Sequence, residues 1–140
     1  MATATWQCTA NGRYWLDVLV GSLPVPLMID TGVVDPEQRV GIELEPQLFD
    51  VLQQTGKFSQ RALRVRKDAG GQCLPLICAA VDASLSTPGA NQPLGPSIRI
   101  HVARGVAGVP SRVGLAFFHK LPECRVVWDC AAKTWAMSVS

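Results

Sequence analysis

Proline breaks both of the longest apolar stretches in this 140-residue chain, Leu23–Ile29 and Leu74–Val81. Proline lacks the N–H that a helix interior or a central strand uses. Neither stretch therefore reads as a long helix, and neither approaches the ~20 residues that span a bilayer. Ten prolines and twelve glycines punctuate the chain, a pattern of short elements joined by tight turns. With 48% apolar and 17% charged residues, the composition is that of a packed protein and not of a disordered one. The length fits one domain over residues 1–140, large enough for one real core. A net charge of +2 gives no reason to expect a nucleic-acid or membrane partner. The five cysteines (Cys8, Cys73, Cys78, Cys124, Cys130) are odd in number and form no C-x-x-C pair, which fits reduced thiols better than a disulfide framework. No basic and apolar leader opens the chain. The sequence predicts a soluble, cytoplasmic protein.

Tyr14–Val20 is rich in β-branched and aromatic residues and is followed by Gly21-Ser22, so it reads as a strand and a turn. Val25–Ile29 reads as the return strand, ending at Asp30, with Pro24 and Pro26 confining its start to an edge. Pro46 opens a helix of two to three turns through Gln54, with Gly56 as its cap. Ala62–Lys67 and Gln72–Leu85 are two strands around the glycine-bearing tip Asp68-Ala69-Gly70-Gly71. Residues 86–97 read as a proline- and glycine-rich surface loop, and Ile98–Val102 as a strand by its alternation. Gly114–Leu121 is a second short helix, stopped by Pro122. Arg125–Asp129 and Thr134–Val139 close the chain as strands. About seven strands and two short helices make a mostly β protein, a small barrel.

The segment that carries chemistry is Pro26-Leu27-Met28-Ile29-Asp30-Thr31-Gly32. An apolar strand desolvates and stiffens a carboxylate placed at its end, and glycine lets the backbone turn sharply beside it. The threonine hydroxyl can bond across to a neighbouring loop. By itself D-T-G also reads as an Asx-type turn after a strand.

From Asn11 to Gly32 the chain resembles the N-terminal part of retropepsin-like aspartic proteases: strand, glycine turn, apolar strand, D-T-G. Their second hallmark, two apolar residues and a glycine leading into a short helix, is similar to Arg112-Val113-Gly114-Leu115-Ala116-Phe117-Phe118. The closing strands and the tip at Asp68–Gly71, where that family has its flap, also follow in order. The resemblance implies a closed β-barrel in a two-fold homodimer, since only one D-T-G is present. It implies an endopeptidase acting on peptide or protein substrates, with the Asp30 of each subunit activating a water across the axis. Thr31 would bond across the dyad, Gly32 and Gly114 would support the site, and Ala69, Gly70 and Gly71 would cover the substrate. Three departures stand out. Val33 follows the D-T-G where alanine or serine is usual, and as a valine it donates no side-chain hydrogen bond to the carboxylate. Val34 takes the place of a substrate-binding aspartate, for which Asp35 is the nearby substitute. Arg112 replaces the first apolar residue before the glycine.

Two other readings stand beside this one. One keeps the fold without cleavage, as a dimerising or peptide-binding module. The other is an unrelated small β-barrel in which D-T-G is only a turn. His119 and Cys124 lie five residues apart with no orienting partner, so Cys124 reads as a packed thiol. His101 and His119 have no further ligands at metal spacing, so no metal is expected, and no phosphate-binding motif or other cofactor signature occurs. Arg61, Arg64, Arg66 and Lys67 read as a solvated strand face.

Overall fold

The computed structural model describes residues 2–7, 12–30, 40–55, 60–67, 70, 73–87, 92–121 and 123–139. Among them run β1 (Ala2–Gln7), β2 (Trp15–Val20), β3 (Leu23–Ile29), β4 (Val40–Leu44), α1 (Pro46–Gln54), β5 (Gln60–Lys67) and β6 (Cys73–Ser86). They are followed by β7 (Pro93–Arg104), β8 (Arg112–Val113), α2 (Leu115–Lys120), β9 (Cys124–Asp129) and β10 (Thr134–Val139). The strands pair in the order β2-β3-β8-β4-β7-β6-β5, and β2 also pairs with β6. That last pairing closes six strands into a barrel and leaves β5 outside it. A separate sheet has the order β1-β10-β9.

The β2–β3 hairpin forms where the sequence places it. Val20 pairs with Leu23 across Gly21-Ser22, and Gly21 has φ +70°, which a tight hairpin turn requires and glycine adopts at little cost. Leu16, Val18 and Val20 point inward, the period of two expected of a half-buried strand. Pro24 and Pro26 pair only with β2 and are exposed. The second neighbour of β3, the strand β8, meets it only at Met28 and Ile29. Both prolines therefore lie on a sheet edge, as their missing N–H groups demand.

α1 begins with Pro46 at its first turn, where the absent N–H would have no partner anyway. Its inner face buries Phe49 and Leu52. Its C-cap is Thr55, whose hydroxyl donates to the Leu52 carbonyl at 2.7 Å; the expected cap, Gly56, lies outside the described residues. α2 buries Ala116 and Phe117 and docks on β4 at Gly41. A Cβ at Gly41 would collide with the Ile100 side chain and lie 2.9 Å from the Phe117 backbone nitrogen. β10 alternates Trp135, Met137 and Val139 inward, so the separate sheet packs its inner face onto the same core.

Two expectations are corrected. The seven strands expected fall short of the ten found among the described residues, because β1, β4 and β8 carry no strand signal of their own in the sequence. Residues 86–97 are not all loop: β7 starts at Pro93, and Leu94 is buried opposite Leu85. Pro93, Gly95 and Pro96 serve a strand start and a bend. Pro93 is the first strand residue, Gly95 has φ +78°, and the Val139 side chain occupies the space its Cβ would take, 2.6 Å away. Among the described residues no helix is long and apolar enough to cross a membrane.

Candidate active site

Asp30 sits immediately after β3, where the backbone is pinned from two sides. The Met28 N–H donates to the Ser111 carbonyl at 3.0 Å, Ile29 N–H to the Tyr14 carbonyl at 2.9 Å, and Asp30 N–H to the Val113 carbonyl at 3.0 Å. These alternating bonds fix the end of β3 between the β2 side and β8. Ser111 is itself buried and accepts the Glu45 N–H on its hydroxyl at 2.9 Å, tying β8 to the start of α1. One step further, Gly114 N–H donates to the Gly41 carbonyl at 2.9 Å. Gly114 is the N-cap of α2 and is buried. The sequence-predicted pair Asp30 and Gly114 is thus brought together through β8.

The same short strand delivers the main charged contact. Arg112 Nη1 donates to Asp30 Oδ2 at 3.0 Å. From its other edge, Arg112 Nε donates to Glu43 Oε2 at 2.8 Å and Nη2 lies 2.6 Å from the same oxygen. Arg112 and Glu43 stand directly opposite each other in the antiparallel β4–β8 pairing, which puts their side chains on one face. Side-chain exposure is 31% for Asp30, 21% for Arg112 and 3% for Glu43. One guanidinium thus bridges two carboxylates, one of them nearly closed to water, and the formal sum of the three is a single negative charge. Removing a charge from water is costly unless it is paired, so Glu43 is where it is because Arg112 is opposite.

The sequence shows Arg112 as a departure from an apolar pattern and gives Glu43 no role. The signal for Glu43 is a lone carboxylate inside Val40-Gly41-Ile42-Glu43-Leu44, a strand buried at every position. Gly70 lies exposed in a turn between β5 and β6, whose ladder runs to Lys67 opposite Cys73. Ala69, Gly71, Thr31, Gly32, Val33, Val34 and Asp35 lie outside the described residues. Burial raises the Cys124 thiol above its ordinary range, the direction of an unreactive packed cysteine and not of a nucleophile.

The architecture matches solved structures at low sequence identity. A retropepsin-like aspartic protease from Rickettsia conorii is similar with a TM-score of 0.60 and 11% identity, over 96% of this chain and 88% of that one. EIAV protease complexed with an inhibitor is similar with a TM-score of 0.50 and 14% identity, over 79% of this chain and 89% of that one. No protein-family model and no curated protein sequence matches the chain. The fold is retropepsin-like: mostly β, a closed six-strand barrel with two short helices. This removes the reading of an unrelated barrel.

Proposed function

We propose, from a retropepsin-like fold that holds Asp30 at the end of a pinned apolar strand, that this chain is an aspartic endopeptidase. The placement of Asp30 beside β8 and the N-terminus of α2 is the observation that carries the reading. One chain offers one such carboxylate, so the working unit is a two-fold homodimer of two 1–140 domains in which each Asp30 faces its twin. The two carboxylates share one proton, as like charges at that separation cannot both ionise; this dyad is itself a standard illustration of the effect. One takes a proton from a water held between them while the other donates to the peptide carbonyl oxygen. Thr31 ties the dyad across the axis, Gly32 and Asp35 meet the substrate backbone, and the β5–β6 tip through Ala69, Gly70 and Gly71 covers an extended peptide. The free thiols at Cys78, Cys124 and Cys130 support a cytoplasmic setting.

The test is cleavage of an unbiased peptide library between pH 3 and 8, with Asp30→Asn beside the wild type. Loss of cleavage in the variant supports the dyad, and equal cleavage by both proteins removes the reading. A second reading keeps the fold and drops the chemistry, leaving a dimerising or peptide-binding module. The observation on its side is that Arg112 already engages the Asp30 carboxylate. A folded dimer that binds peptides and cleaves none favours it.

A further inference from the structure

The contact between Arg112 and Asp30 has a geometry that a simple block of the site does not require. The guanidinium is held from behind by Glu43, through Nε at 2.8 Å and Nη2 at 2.6 Å, and Glu43 is 3% exposed. Its backbone lies between two strands, opposite Met28 on β3 and Glu43 on β4. The remaining nitrogen, Nη1, reaches a single oxygen of Asp30 at 3.0 Å. Glu43 supplies one full negative charge against the one positive charge of Arg112. Asp30 therefore meets a donor whose far edge is already held in place.

We infer that Arg112, backed by Glu43, is a positioning residue for Asp30: from β8 it supplies a side-chain hydrogen bond that fixes the Asp30 carboxylate. The inference rests on the reading of Asp30 as one half of a catalytic dyad. Glu43 takes part by orienting the guanidinium and cancelling its charge, without touching substrate. A charge-assisted bond from a guanidinium with its other edge occupied fixes the carboxylate more firmly than a rotating hydroxyl does.

The test compares wild-type chain with the double variant Glu43→Leu/Arg112→Leu and with Arg112→Lys. The double variant is chosen because an apolar pair in place of a buried ion pair is commonly tolerated, while removing one partner alone strands the other charge. With the fold confirmed by circular dichroism and the dimer by mass, kcat of the double variant falls roughly 100-fold, the scale of a misplaced catalytic group. KM stays within about threefold, because the lost contact positions the dyad and not the peptide. Arg112→Lys, which keeps a cationic donor, recovers part of the loss. A double variant that cleaves at the wild-type kcat or faster overturns the inference and leaves the protease reading standing. The contact also has a readout without activity. The Arg112 Nη1 protons give resolved, slowly rotating nitrogen-correlated signals in the wild type, and Asp30→Ala merges them. Signals that are the same in both proteins overturn the inference. Resolved signals in a wild type that shows no Asp30-dependent cleavage place the failure in the protease reading, with the contact intact.

Discussion

Glu43 is 3% exposed inside the β4–β8 pairing, while Val127 and Trp128 stand 58% and 48% exposed on β9. The two regions depart from the usual distribution of side chains in opposite directions. At the β3–β8–β4 junction, charge is buried where a barrel would ordinarily place apolar side chains. In the β1–β10–β9 sheet, Val127 and Trp128, on opposite faces of the edge strand β9, leave large apolar area exposed, where charge ordinarily blunts further pairing. The first region is held by direct charged contacts among Glu43, Arg112 and Asp30. The second is held by aromatic packing: Trp128 stacks on Trp135 with centroids 5.2 Å apart, and Tyr14 meets Trp128 edge-on at 4.7 Å. A buried ion pair stays only where its partners hold it, and an exposed apolar patch marks a contact surface. The difference separates a region organised by buried charge from one organised by aromatic packing.

The largest expected effect breaks the first region. Arg112→Leu alone takes the guanidinium away from the buried Glu43 and lowers stability by about 3–5 kcal/mol. Chemical denaturation measures this, and a loss below about 1 kcal/mol would mean that Glu43 finds water. Comparable in size is Trp135→Ala, which empties a fully buried site at 1% exposure and removes the platform under Trp128. A cost of about 3–5 kcal/mol is expected, and the near-ultraviolet dichroism of the stacked pair disappears with it. The smallest effect on the fold comes from Val127→Lys. That side chain is mostly solvated, so stability changes by no more than about 0.5 kcal/mol. If the outward face of β9 is the association surface, the same change halves the mass in sedimentation, from a dimer toward 15.1 kDa. An unchanged dimer would move the contact surface elsewhere.

Legibility in the sequence followed whether an element is specified locally. The β2–β3 hairpin, the helix opened by Pro46 and the helix after Gly114 each carry their own signal, in alternation, proline placement or a turn glycine. That signal alone puts Asp30 at the end of its strand. β4 carries no such signal, because all five of its residues are buried and no alternation remains to be seen; Glu43 there looks like polarity in a loop. β8 is two residues long and exists because β3 and β4 bond to it from either side. β1 is drawn into a strand by β10, to which all six of its residues pair. The start of β7 was hidden by Pro93, Gly95 and Pro96, residues that mark loops in general and here mark a strand start and a bend. The Glu43–Arg112–Asp30 contact joins positions 69 and 82 residues apart, and only the folded barrel brings them together.

In the proposed enzyme two Asp30 carboxylates from two chains make one site, and mixing wild-type and variant chains probes that pairing. Wild-type chain and Asp30→Asn chain are combined in equal amounts, allowed to exchange subunits, and assayed for peptide cleavage. Random association leaves one dimer in four with both carboxylates. Activity should therefore fall to about half of what the wild-type content alone would give. Activity that stays proportional to the wild-type chain present would mean that one Asp30 suffices, and the paired-carboxylate account would be wrong.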